Sequence, residues 1–351
     1  MHKHLHLLLA LAIILAAVGS AKADVAEATA IFLLIAPGAR QGGMGEAFVA
    51  IADDATSTWW NPAGLGFMNR REMTLMHVNW LPSFHLPDLY YDFISYVNNV
   101  PDWGTVGVNV VFINLGESQR TDDIGTVLGT FRTYETAITG SYGTTIADNM
   151  GLGLNVKFIY SHLADVGAGQ EKGKGVATNF AVDLGWLYKL NDPLLHKPFN
   201  LGANLANMGP KMSYIDRKQA DPIPTNLKFG FAWEPINDGY NKVTIVGDAN
   251  KLLVRKFPDG KTDPFYIALA TAWGDEPFFL DLIYNTGIEY WYSDMVALRF
   301  GYWNDQLGHL KPMTYGASFK VSAYRFDFSY IFGKGSSTQE NTLRLSMNIS
   351  L

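Results

Sequence analysis

From about Met73 onward, apolar or aromatic residues recur at every second position in runs of roughly ten. Val106, Val108, Val110 and Phe112 share one face, with Gly107 and Asn109 opposite. Leu152, Leu154, Val156, Phe158 and Tyr160 oppose Gly153, Asn155, Lys157 and Ser161, and Tyr324, Phe326, Phe328, Tyr330 and Phe332 oppose Arg325, Asp327 and Ser329. A period of two is that of the pleated strand. It predicts strands over 73–81, 89–98, 104–114, 133–144, 150–163, 176–190, 199–208, 225–234, 242–250, 280–292, 295–303, 313–322, 324–332 and 342–351, fourteen in all. Segment 264–273 reads differently: Phe265, Leu269 and Trp273 fall at i, i+4 and i+8, the spacing of a helix lying in a loop.

The apolar face carries large aromatics near the ends of its runs (Trp186 with Tyr188, Trp233, Tyr290 with Tyr292, Tyr302), where girdles meet lipid headgroups. The other face carries Gly, Asn, Ser and charges of both signs, as a wet lumen does. In lipid every backbone N–H and C=O must be paired, so a strand-built chain has to close on itself. The expected fold is therefore an all-β, fourteen-stranded antiparallel outer-membrane barrel over 71–351. Connections at 82–88, 115–132, 164–175, 209–224, 251–279, 304–312 and 333–341 are mostly long and alternate with short ones. Long loops belong outside and short turns in the periplasm, which places both ends of the exported chain on the periplasmic side.

The first 23 residues read as a signal peptide. A short start with Lys3 leads into the apolar run Leu5–Val18, and Ala21-Lys22-Ala23 fits the small-x-small cleavage rule. Their removal leaves 25 basic against 33 acidic residues. It also discards the histidines at 2, 4 and 6. Residues 24–70 do not alternate. They hold Gly42, Gly43, Gly45 and the block Asn61-Pro62-Ala63, and a barrel of this size has a lumen that needs filling. An N-terminal plug is expected there. A solvated tail is the alternative, but Phe48–Ala52 and Trp59-Trp60 are too apolar for one.

Composition narrows the chemistry. Cysteine is absent, so disulfides, thiolate metal sites and Cys nucleophiles are excluded. The formal charge of -6 and the lack of a basic tract argue against nucleic acid as a partner. Gly42-Gly43-x-Gly45 lacks the strand, Lys-Ser/Thr and βαβ setting of a phosphate cradle. Asp53-Asp54 and Asp122-Asp123 are possible Ca²⁺ ligands, though adjacent acids ordinarily mark a solvated turn. Inward charges at Lys157, Asp183, Asp248, Glu289, Arg299, Arg325, Asp327 and Arg344 are expected to pair and brace wall and plug. No catalytic set, metal site or cofactor is expected, and the protein reads as a non-enzyme.

The run Gly42-Gly43-Met44-Gly45-Glu46-Ala47, then Ala52-Asp53-Asp54-Ala55, then Trp60-Asn61-Pro62-Ala63-Gly64-Leu65 resembles the N-terminus of the PorV/PorQ family, a branch of the FadL-like barrels. Asp248-Ala249-Asn250-Lys251-Leu252-Leu253-Val254 is similar to a second block of that family, and Gly287–Trp291 with Ala297–Tyr302 to the strand pair after it. The C-terminal Leu351 departs from the usual aromatic ending. The resemblance implies an outer-membrane component of the type IX secretion system. Such a barrel docks or shuttles cargo by its C-terminal sorting domain, between the translocon barrel and a surface sortase. A FadL-like channel for hydrophobic small molecules is the other function the fold admits. The long loop 251–279 carries Phe265, Tyr266, Leu269, Trp273, Phe278 and Phe279, which is expected either to fold as a lid or to meet a partner.

Overall fold

The computed structural model describes residues 28–81, 88–122, 124–165, 174–191, 196–214, 220–257, 259–274, 279–333 and 341–351. The proposed signal peptide and Phe278 lie outside them. Fourteen strands form one closed antiparallel sheet: β1 (Glu72–Asn79), β2 (Leu89–Val100), β3 (Gly104–Thr121), β4 (Val127–Ala147), β5 (Met150–Ala164), β6 (Gly175–Asn191), β7 (Pro198–Met208), β8 (Asn226–Asn237), β9 (Asn241–Leu252), β10 (Ile283–Tyr292), β11 (Val296–Asn304), β12 (Met313–Val321), β13 (Tyr324–Phe332) and β14 (Thr342–Ser350). Each strand pairs with its sequence neighbours, and β14 closes on β1 with Glu72 opposite Ser350 and His77 opposite Leu345. The Leu351 amide extends that seam, donating to the Arg71 carbonyl at 2.9 Å.

Alternation translates directly into two faces. Leu152, Val156, Phe180, Leu184, Phe229, Leu298, Phe328 and Leu345 are exposed, while Asn155, Lys157, Asp183, Arg299, Asp327 and Arg344 between them are buried. An apolar exterior with a polar interior is the arrangement lipid imposes on a barrel. Towards the long-loop end, outward rings form a row across β2 to β5. Tyr90 and Phe112 lie 6.0 Å apart, Phe112 and Tyr134 5.9 Å, and Tyr134 and Tyr160 6.0 Å. Segment Phe265–Thr271 is a helix, as its four-residue spacing predicts.

Two expectations are corrected. The stretch 115–132 is not a loop but the far end of the β3–β4 hairpin. The ladder shifts between Asn114 and Glu117, then resumes with Glu117 opposite Arg132 and Ser118 opposite Phe131. Gly116, at φ +82°, supplies the backbone that the extra residue of a bulge requires. Beyond that point both faces meet solvent, so no alternation betrays the strands.

The second correction concerns the chain ends. The C-terminal end lies at the short-turn end as expected, but the first described residues do not. The Thr29 amide donates to the Pro222 carbonyl at 2.9 Å, and its hydroxyl donates to Tyr214 Oη at 3.3 Å. Both partners belong to the connection between β7 and β8, at the long-loop end. Residues 29–71 therefore pass from one mouth of the barrel to the other before β1 begins. Strand periodicity says nothing about the direction of a segment that does not alternate.

Candidate functional site

The inner segment has little regular structure. It contains the short helices Ala39–Gly43 and Ser57–Trp60 and the 3-10 turns Ile31–Leu34 and Pro62–Phe67. Backbone groups in such a segment, once buried, need partners other than a ladder. Inward side chains of the wall provide them. Asp248 accepts from the amides of Phe48 (2.7 Å) and Val49 (3.0 Å), and Glu72 from the amide of Ala55 (2.6 Å). Asn109 and Asn155 both donate to the Thr58 carbonyl, Asn204 to that of Trp60, and Asn285 to that of Gly45. This explains the asparagines on the inward face. They act as backbone partners for the segment.

The sequence motifs fall where segment and wall are closest. A Cβ on Gly43 would sit 2.9 Å from the Cα of Gly316, and one on Gly42 2.8 Å from Ser329 Oγ. Gly45 takes φ +65°, and a Cβ there would meet Thr286 O and Tyr302 N at 2.7 Å. Asn61 is extended (φ −165°, ψ 103°), the bias expected of a residue before proline. Its Nδ2 donates to Val49 O (2.8 Å) and to Trp186 O in β6 (3.0 Å), while Oδ1 accepts from Ala63 N (3.1 Å). Asn61 thus ties two stretches of the segment to the wall. Pro62 and Ala63 lie against Gly153 and Gly185, where a Cβ would come within 3 Å of their backbone. Gly202, Gly287 and Gly301 meet the segment in the same way, whereas the sequence assigns glycines of the inward face, Gly153 among them, to a wet lumen. Their placement on inward positions was the available signal. They are contact surface for the backbone of the inner segment.

Seven of the eight predicted inward charges form ion pairs, Asp248 holding backbone amides instead, and a ring links six groups. Arg40 grips Glu289 with two bonds of 2.8 Å, and Glu289 accepts from Arg299 Nε at 2.6 Å. Arg299 lies 3.6 Å from Asp327, Asp327 accepts from Arg325 Nε at 2.9 Å, and Arg325 reaches Asp54 at 2.8 Å. Asp54 closes the circuit at 3.4 Å from Arg40. Three cations and three anions balance. Two members belong to the segment and four to β10, β11 and β13. Asp54 is completely buried, which corrects the solvated-turn reading. Three arginines had to be neutralised, and only its neighbour Asp53 remains exposed. Elsewhere Arg344 binds Glu46 (2.8 Å), Lys157 binds Asp183 (2.8 Å), and the Lys228 ammonium stands 4.4 Å from the ring centres of Trp59 and Trp60. Arg40, Glu46 and Lys228 are not singled out by the sequence, because nothing local marks Glu289, Arg344 and the Trp59-Trp60 pair as their partners.

Towards the long-loop mouth the filling changes character. Phe32 and Leu33 are buried in a cluster with Met76, Tyr91, Phe93, Val111, Ile113 and Ile159. The loop aromatics proposed from sequence divide into two sets. Phe265, Leu269 and Trp273 are half-buried and pin the helix down, with Trp273 Nε1 donating to the Leu269 carbonyl at 2.8 Å. Tyr266 and Phe279 are exposed, together with Ile267. On the β3–β4 hairpin Ile124 is 89% exposed and Val127 and Leu128 are also uncovered.

Comparison with solved structures gives the fold. The toluene transporter TodX of P. putida aligns with a TM-score of 0.52 at 16% identity, over 90% of this chain and 96% of that one. A deltaS2 mutant of TodX, described as a monoaromatic hydrocarbon channel, gives 0.51 and 14% over 90% and 97%. A Pseudomonas aeruginosa FadL homologue gives 0.48 and 10% over 88% and 97%. Identities this low speak for architecture alone: this chain shares the closed β-barrel fold of TodX. No curated protein matches the sequence. The profile of type IX secretion system protein PorV matches residues 19–259, from ahead of the inner segment to the loop after β9. That span covers more than half of the chain and includes the glycine and Asn-Pro-Ala blocks as well as Asp248–Val254. The chain belongs to the PorV family of type IX secretion system proteins.

Proposed function

We propose that the protein is a docking and shuttle barrel: it receives cargo by a C-terminal sorting domain at its long-loop mouth and presents it to a surface sortase. In this reading residues 1–23 are a cleaved leader, 24–70 a plug that seals the lumen, and 71–351 the wall. The barrel performs no chemistry itself and leaves transpeptidation to the sortase. The observation that carries the reading, beside family membership, is a lumen threaded from mouth to mouth by a hydrogen-bonded segment. Work of the barrel is then done at its rim, where Tyr266, Ile267 and Phe279 are exposed and apolar. Aromatics at a rim are what protein recognition uses.

The test is capture of a purified C-terminal sorting domain by the detergent-solubilised barrel. Tyr266→Ser with Phe279→Ser should weaken capture about tenfold, as loss of interface aromatics does. Phe265→Ser with Trp273→Ser should unfold the loop helix and abolish it. Wild-type protein that captures none of the sorting domains of its own genome would transfer the assignment to a channel for hydrophobic solutes.

A further inference from the structure

The path of the inner segment has a direction. It starts beside the β7–β8 connection, where Thr29 donates to Tyr214 Oη, Tyr214 donates to Ser161 Oγ at 2.9 Å, and Ser161 donates to Glu135 at 2.7 Å. Ser161 and Glu135 lie in the long-loop halves of β5 and β4. Tyr91, near the same end of β2, donates to the Ile35 carbonyl at 3.0 Å. The segment finishes at the opposite mouth, where Asn99 and Thr105 both donate to the Met68 carbonyl beside the β2–β3 turn. Phe32 and Leu33 anchor the beginning in the apolar cluster, whereas Ile31 and Leu34 on the same turn are exposed.

We propose that the N-terminal end of the processed chain is displayed on the outer face of the membrane, so that the inner segment is a thread running from the cell surface to the periplasm. Cleavage after Ala23 leaves five residues, 24–28, ahead of Thr29. Fully extended they span at most about 18 Å. The apolar band of an outer-membrane barrel is about 25 Å tall, so so short a lead cannot return to the periplasm from the long-loop mouth. Ile31 and Leu34 then join the rim that a docking protein meets. The inference rests on removal of the leader and on the long loops facing outward. It holds whether the barrel serves cargo or solutes.

The absence of cysteine makes the test direct. Ala28→Cys is treated in intact cells with a membrane-impermeant maleimide, beside Ile124→Cys at the long-loop end and Tyr240→Cys in the β8–β9 turn. Ile124 is 89% and Tyr240 70% exposed, so both controls report their own side. Ala28→Cys should label like Ile124→Cys without permeabilisation, while Tyr240→Cys labels only after it. A short epitope placed between Ala23 and Asp24 should bind antibody on intact cells, which covers any loss of docking caused by the cysteine. Labelling and antibody binding that both require permeabilisation, or that appear only in heat-unfolded protein, would overturn the proposal. Cargo capture is read separately, so failure here leaves the docking assignment standing.

Discussion

The inner segment and the outer half of the β3–β4 hairpin are opposite solutions to one problem, that of backbone leaving the membrane wall. The hairpin from Gly116 to Phe131 keeps a nearly continuous ladder and buries almost nothing. The segment from Ala36 to Met68 has almost no ladder and buries nearly everything. A two-stranded ribbon alone in water is marginally stable, so the hairpin is held by its root in the wall and by its own turn. The segment is specified by side chains of the wall, one backbone group at a time. Regularity and order are therefore separate properties here, and the less regular region is the more tightly determined.

The largest expected effect comes from removing the determined region altogether. Deletion of residues 26–58 should leave a heat-modifiable barrel that conducts ions in planar bilayers, whereas the full chain stays closed. Equal, closed behaviour of both would show that the wall or the loops do the sealing. Glu289→Ala is the next strongest perturbation, because it strands Arg40 and Arg299 without their shared carboxylate. Breaking a buried pair by removing one partner costs about 3–5 kcal/mol, read as a lower temperature for the gel-mobility shift of folded to unfolded barrel. A loss below about 1 kcal/mol, the scale of an exposed pair, would mean that water reaches the ring.

The hairpin should give the smallest response. Asp122 Oδ1 accepts from the amides of Thr126 (2.7 Å) and Ile124 (3.0 Å). The Thr126 amide first, then its other hydrogen bonds, hold this carboxyl below the usual carboxylate range. A depressed folded-state value means that the stabilisation is present above the ordinary carboxylate pKa and fades as pH falls through the lower one. The turn should stay ordered through mild acid and loosen only well below about pH 4, measured by amide exchange at Ile124 and Thr126. Loosening near neutrality would assign the turn to some other group.

The same contrast explains what could be read from the chain beforehand. Every strand was visible where one face is apolar and the other polar, as in Leu152–Tyr160 or Tyr324–Phe332. Visibility ended at Gly116, beyond which neither face is buried. Inside, the pairing of Lys157, Arg299 and Arg344 followed from the cost of burying a charge alone, yet their partners Asp183, Glu289 and Glu46 follow only from the closed sheet. Asp54 and the wall glycines were misjudged for one reason: a polar or bare position reads as wet until the neighbouring backbone is in place.

The contacts between the inner segment and β14 set the timetable of assembly. Arg344 donates to the Ala36 carbonyl at 3.0 Å, and the Ala39 amide donates to Ser346 at 3.1 Å, across 308 and 307 positions of chain. Such pairings form only after the entropy of a loop that long has been surrendered, and folds dominated by distant contacts are slow. The segment synthesised first finds its final partners on the strand synthesised last. Until β14 arrives, Arg344 and Ser346 are missing from the cavity, and β1 and β13 are open edges. Docking of the thread at these positions and closure of the seam thus both wait on the last nine-residue strand.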